Sequence, residues 1–354
     1  MSRFFTSTLA SLEPYTPGEQ LKRPGLVKLN ANENPYPPAP GVAAAVAGAV
    51  EGLRLYSDLT ANSLCSAIAR HCGVTAENIL CGNGSDENLL LALRAFCDES
   101  HPLAFADITY SFYPVLCDLL HIPTHILPLE DDFTIDLSKY CGLDETIVIA
   151  NPNAPTSLLA PRDAIEEVVR SNPGHVVIVD EAYIAFAGPD ASCVPLTKKY
   201  DNLLVVRTFS KSHNLAGARL GYCVGHPDLI ADMNRVKFSY SPYNVNSMTQ
   251  AAGLASINDE EYFRTVTAKI CKTRDESAEK LRARGFRVLD SAANFLFVTS
   301  DKLACGEIFR RLRERGVLIR YFNAPRIDNY LRITIGTPEQ MDRFFAELDA
   351  ILQQ

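Results

Sequence analysis

No Cys-x-x-Cys pair occurs in the 354-residue chain. Its ten cysteines are irregularly spaced, which fits neither a zinc module nor a small disulfide scaffold. They read as reduced, mostly buried thiols. No stretch approaches the roughly 18 uninterrupted apolar residues that span a bilayer. Residues 1–20 hold no apolar run flanked by basic residues that would act as a secretory signal. The expected compartment is therefore the cytoplasm. Positive charge is in deficit: 34 Lys and Arg against 42 Asp and Glu leave a formal charge of −8. That excludes the net basic surface used to bind nucleic acid or an anionic membrane, although local arginines can still hold a small anion. Internal repeats and low-complexity tracts are absent. The apolar share of 47% and the charged share of 21% are ordinary for a globular protein. At this length one core stops growing, so two domains are expected.

Short β-rich runs alternate with segments of helical period. Helices are expected at 41–54, 60–71, 86–97, 162–170, 227–237, 245–257 and 259–284. Strands are expected at 79–81, 103–106, 146–150, 175–179, 203–207 and 219–224. Runs such as "TIVIA", "HVVIVD" and "NLLVV" are apolar without alternation, the pattern of strands buried on both faces. Alternating strand and helix predicts an α/β domain: a mostly parallel sheet flanked by helices. After about residue 285 the texture changes to "FRVLDS", "NFLFVT", a basic helix at 303–315, "VLIRYF", "YLRITIG" and a final helix at 338–351. This predicts a smaller α+β domain. Seven of the 21 prolines fall in the first 40 residues, which read as an extended arm. The expected division is an arm at 1–40, a large domain at 41–257, and a small domain at 258–354 packed with part of the arm.

Ligands of open α/β sheets bind beyond the carboxyl ends of the strands. There the sequence places "CGNGSDE", "DITYSFY", "NPNAPTS", "DEAY" and "TFSKSHNLAGARLG". Gly82, Gly84, Ser85 and Asp86 precede a helix, where exposed N–H groups and the helix dipole favour a phosphate. The spacing fits neither G-x-G-x-x-G nor a P-loop, and a plain capped turn is the bland alternative. Thr208, Ser210 and Arg219 supply further groups for the same anion. Asp180 closes an apolar strand, so burial should raise its pKa unless a cation stabilises it. It is either a salt-bridge or capping residue, or the partner of a heterocyclic N–H⁺, with Tyr183 reaching a neighbouring oxygen. Lys211 alone would be a solvated surface lysine. Beside a phosphate cradle and opposite a carboxylate, it suits covalent attachment to pyridoxal phosphate.

Taken in order, "LNANENPYPP", "CGNGSDE", "NPNAPT", "VIVDEAYIAF", "TFSKSHNLAGARLG" and "LRITIGT" resemble the pyridoxal-phosphate aminotransferases of the aspartate-aminotransferase fold. They are most similar to the histidinol-phosphate aminotransferase family, over essentially the whole chain. The resemblance implies that Lys211 binds the cofactor covalently and moves the substrate's α-proton. It implies that Asp180 pairs with the pyridine nitrogen, Tyr183 bonds the phenolic oxygen and Tyr110 stacks on the ring. Gly84, Ser85, Asp86, Thr208, Ser210 and Arg219 would hold the phosphate. Tyr56 would reach it from a second subunit, making the active unit a homodimer. Arg332 would bind the substrate carboxylate. Tyr15 and Arg320 would grip the distal phosphate of histidinol phosphate or the side-chain carboxylate of glutamate, and Asn32 is a further substrate-binding candidate.

The chain departs from the family pattern at Ala154, where an asparagine usually bonds the phenolic oxygen; Asn153 is the expected substitute. Ser57, Ser157, His213 and Asn214 also replace commoner residues. Arg310, Arg311, Arg313 and Arg315 fall within one helical stretch and read as a solvated face. Pro123 between His121 and His125 argues against a helical metal pair, and no metal is expected. Amino transfer from glutamate, with histidinol phosphate first and aromatic 2-oxo acids second, is the leading reading. A threonine-phosphate decarboxylase-like lyase and a non-catalytic cofactor binder are the alternatives.

Overall fold

The uninterrupted apolar runs become the strands of one sheet. The structure, a computed structural model, describes residues 2–16, 18–21 and 23–353. Parts of the arm at positions 1, 17 and 22 thus lie outside the described residues. In chain order the first half contains β1 (Val27–Lys28), α1 (Gly41–Ala49), α2 (Asn62–Cys72), β2 (Ile79–Gly82), α3 (Gly84–Phe96) and β3 (Leu103–Ala106). It continues with α4 (Phe112–Leu120), β4 (Thr124–Leu127), β5 (Thr146–Ala150), α5 (Arg162–Ser171) and β6 (Val177–Asp180). Then come β7 (Leu203–Thr208), β8 (Gly221–Gly225), α6 (Pro227–Tyr240), α7 (Ser247–Ile257) and the long α8 (Glu260–Ala283).

The seven-stranded sheet runs β2-β8-β7-β6-β5-β3-β4, and only β8 is antiparallel to its neighbours. Adjacent side chains point to opposite faces. Val177, Val179, Leu203 and Val205 pack with Leu64 and Ile68 of α2 and with Ile165 of α5. Ile178, Leu204 and Val206 pack with Leu89 of α3, Leu116 of α4 and Met233 of α6 on the other side. Both faces are covered, which is why these strands carry no polar alternation.

The remaining elements are β9 (Phe286–Val288), β10 (Phe295–Ser300), α9 (Cys305–Glu314), β11 (Val317–Leu318), β12 (Arg320–Tyr321), β13 (Leu331–Thr334) and α10 (Pro338–Leu352). An antiparallel sheet, β12-β13-β10-β9, buries one face under α8, α9 and α10. Val27 and Lys28 of the arm pair in parallel with Val317 and Leu318. The α/β class with a smaller α+β part is therefore as expected.

Besides the two-residue β1 of the arm, two elements of the large domain escaped the sequence reading. β4 is the sheet's edge strand and buries only Leu127 fully, so it lacks an apolar signature. α4 carries Pro114 at its third position, tolerated because first-turn N–H groups have no partner within the helix. α3 begins at Gly84 rather than 86, so Ser85 and Asp86 lie in its first turn.

Candidate active site

The carboxyl ends of β2, β3, β6 and β7 deliver most of the named residues to one crevice. At the end of β6, Asp180 is buried; its Oδ2 accepts from Tyr113 Oη at 2.8 Å and its Oδ1 from Ala182 N at 3.2 Å. Loss of hydration pushes its carboxyl up to about 6, against the pull of those two bonds. Among the described residues no cation pairs with it.

Lys211 lies in the turn after β7. Asn34 Nδ2 donates to its carbonyl at 2.8 Å, and its Nζ lies 3.4 Å from Ala31 O and 5.8 Å from the Tyr183 ring centre. Desolvation first, and then the positive charge of Arg332, hold the amine down to about 8, so the neutral fraction near physiological pH is a minority but far larger than a free lysine's. Tyr183 packs edge-on against Phe295 at 5.0 Å, and its Oη accepts from Asn32 Nδ2 at 2.9 Å.

An anion cradle forms where α3 meets the segment 208–221. Gly84 has φ +80°, and a Cβ there would lie 2.6 Å from Arg219 Nη2. A Cβ on Gly221 would lie 2.5 Å from both Gly84 C and Ser85 N, so these backbones approach as only glycine allows. Arg219, itself left-handed at φ 53°, pairs with Asp86 (Nη2–Oδ2 2.8 Å), which also accepts from Tyr110 Oη at 3.1 Å. Thr208 Oγ1 and Ser210 Oγ are 2.9 Å apart, and Ser210 Oγ is 3.5 Å from Arg219 Nη1. The first N–H groups of α3, which lack partners within the helix, and the positive end of its dipole border this cradle.

Arg332 on β13 sits between two aromatic rings, 5.4 Å from the centre of Phe295 and 5.5 Å from that of Phe322. Its Nη2 reaches Asn30 O at 3.3 Å, while its buried Nε has no partner among the described residues. Burial pulls its pKa down, as expected of a cation awaiting a counter-charge. Arg320 lies 5.6 Å from the Phe322 ring centre. Tyr15 packs edge-on against Tyr110 (6.1 Å) and Phe112 (5.6 Å); burial raises its pKa, and Arg332 and Arg320 oppose the rise.

Two predicted residues stand apart. Asn153 spends its amide on Ile108 O (2.9 Å), Thr156 Oγ1 (3.0 Å) and Thr109 Oγ1 (2.8 Å). Tyr56 is 82% exposed and stacks on Tyr243 at 4.4 Å. The arginines of α9 and its end pair with Glu307, Glu314, Glu19 and Glu347, a solvated face as expected. Sequence reasoning missed Tyr113, Asn34 and Thr334. Tyr113 had a signal: it follows Tyr110 by three residues, one helical turn, in "TYSFY".

The family model for aminotransferase class I and II matches residues 24–348. The histidinol-phosphate aminotransferase of Brachyspira hyodysenteriae is 44% identical over the full length of both chains. Histidinol-phosphate aminotransferase 1 of Bradyrhizobium diazoefficiens is 45% identical over 99% of this chain and 100% of its own. The crystal structure of histidinol-phosphate aminotransferase from Sinorhizobium meliloti in complex with pyridoxal-5'-phosphate superimposes with a TM-score of 0.89. It is 26% identical, over 100% of this chain and 98% of that one. An L-threonine-O-3-phosphate decarboxylase from Porphyromonas gingivalis, 22% identical with a TM-score of 0.78 over 93% of this chain and 100% of its own, shares the fold. The chain belongs to the class I and II aminotransferases, in the histidinol-phosphate aminotransferase family.

Proposed function

We propose that the chain transfers the amino group of histidinol phosphate to 2-oxoglutarate, giving imidazole acetol phosphate and glutamate, with pyridoxal phosphate as cofactor. One observation carries the reading. A buried carboxylate without a cation and a lysine held down to about 8 border the same crevice as an anion cradle built on two obligatory glycines. These residues fit the group: a cationic ring nitrogen for Asp180, an aldehyde for Lys211 and a phosphate for the start of α3. When bound, the cofactor supplies an electron-accepting ring.

The chain supplies the other parts. The Lys211 amine, whose lowered pKa leaves it a reactive neutral fraction, would form the covalent link and take the proton from the substrate's α-carbon. Asp180 would keep the ring nitrogen protonated, Tyr183 Oη would donate to the phenolic oxygen, and Tyr110 would lie against the ring. Ser210, Thr208, Ser85 and Arg219 donate to the phosphate. Asp86 contributes through its backbone N–H and by aiming Arg219, because its carboxylate would repel the anion. Arg332 receives the α-carboxylate of 2-oxoglutarate in a bidentate grip, while Arg320 and Tyr15 meet the distal anion, the phosphate of histidinol phosphate or the far carboxylate of 2-oxoglutarate, with Asn32 beside them. Asn153 holds the turn that lines the crevice.

We further propose a cytoplasmic homodimer, with an arm at 1–40, a large domain at 41–257 and a small one at 258–354. Leu53, Leu55 and Tyr56 are 46%, 60% and 82% exposed, and Tyr240 and Tyr243 add 66% and 45%. An apolar surface of this kind is what a second subunit would cover. The test of function is product balance. Glutamate should form one-for-one with the keto product and require Lys211; release of carbon dioxide from threonine phosphate would favour a lyase.

A further inference from the structure

We propose that Asn32 is a positioning residue for Tyr183, filling the acceptor site of its hydroxyl and so leaving the hydroxyl proton for the ligand. This rests on the cofactor reading above and assigns a task to an atom pair rather than to substrate contact.

Every polar atom of Asn32 is engaged. Its N donates to Thr334 Oγ1 at 2.9 Å, Thr334 Oγ1 donates back to Oδ1 at 3.0 Å, and its carbonyl accepts from Asn294 Nδ2 at 3.1 Å. The fourth group, Nδ2, donates to Tyr183 Oη at 2.9 Å. Reversing the amide would force Thr334 Oγ1 to accept twice and strand its own proton, so the Thr334 bonds fix which end faces the phenol. Asn32 is 1% exposed and left-handed at φ 52°, a conformation that suits Asn and Asp best.

A phenolic oxygen that accepts one good hydrogen bond has its proton left to give. Among the described residues Tyr183 Oη meets no acceptor. The side chains of Ala154, Ala293 and Phe295, which pack against Tyr183, offer none. The three residues come from the arm, the turn after β6 and the end of β13, so one short relay ties the large sheet, the small sheet and the arm to a single proton.

The isosteric Asn32→Asp keeps the left-handed backbone and the Thr334 bonds but replaces the donor with an acceptor that draws the Tyr183 proton away. The readout is the pH midpoint of the visible absorption of the cofactor-loaded enzyme, with kcat and KM for histidinol phosphate measured alongside. Losing a donor to the cofactor's anionic oxygen should move that midpoint up by about one pH unit. It should also lower kcat more than it raises KM. A fully loaded Asn32→Asp enzyme with an unmoved midpoint overturns the proposal. If that variant does not fold, Thr334→Val, which frees the Asn32 amide, should move the midpoint in the same direction and Thr334→Ser should restore it; an unmoved midpoint in Thr334→Val also overturns it. Wild-type protein that develops no visible band defeats the cofactor reading itself.

Discussion

Two buried charge systems occupy opposite faces of the same two strands. On the face shared with Val179 and Val205, Glu181 accepts from Arg207 Nε (2.9 Å) and Nη2 (2.8 Å) and from Ser192 Oγ (3.0 Å). Cys193 N donates to its other oxygen, and the Glu181 side chain is wholly buried. One residue earlier, on the opposite face, Asp180 has two neutral donors and no cation. Lys211 across the crevice has one long contact to a carbonyl. The first system is closed: each charge meets its opposite, and nothing is left to bind. In the second, burial pushes acid and amine toward neutrality, and Arg332 adds a buried Nε without a partner. A buried ion pair holds a fold together when complete, and breaking one partner leaves an uncompensated charge. Charges left under-satisfied in a crevice instead mark where a ligand belongs.

That contrast predicts different losses on the two faces. Lys211→Ala should cost the most. A positioned acid–base group alone contributes roughly 10²- to 10⁴-fold, and the covalent link goes with it, so kcat should fall beyond that range while the melting temperature holds or rises. Asp180→Asn should lower kcat by about 10²- to 10³-fold, the cost of one preorganised electrostatic partner, with little loss of stability. Glu181→Gln should do the reverse, losing about 3–5 kcal/mol in denaturant unfolding while the folded fraction keeps most of its turnover. Equal stability losses in both would erase the distinction between the faces.

Arg332→Lys should raise KM for 2-oxoglutarate by about 10-fold, the value of a lost charge-assisted bond, and leave the visible absorption of the loaded enzyme in place. The last effect is confined to acid and concerns His213, stacked on Phe263 at 4.6 Å with Nδ1 3.1 Å from Ser256 Oγ. Burial holds its pKa down to about 3, so the neutral ring is fully stabilising above the unfolded value near 6.5. Stability should decline as pH falls from about 6.5 toward 3, by up to about 1.4 kcal/mol per pH unit. His213→Phe should flatten that slope in chemical denaturation.

Much of the fold was legible because buried parallel strands announce themselves as unbroken apolar runs. β4, at the edge, and α4, with its early proline, do not. The residues proposed for the site were legible where chemistry sits at or just after a strand end, as with Asp180, Lys211 and the Gly82–Asp86 turn, and Arg219 was legible in the same motif as Lys211. The Asn32–Tyr183 bond spans 151 positions and the Asn32–Thr334 bonds 302, and no local pattern encodes such pairings. Tyr113 was hidden for a different reason. Its side chain reads as core, and it is core except for one oxygen aimed at Asp180.

The central claim is that the open charge system exists to hold an aldehyde cofactor on Lys211. Protein mixed with pyridoxal phosphate, reduced with borohydride and mapped by mass spectrometry should carry the reduced adduct on the peptide containing Lys211. An adduct confined to other lysines, or none at all, contradicts it.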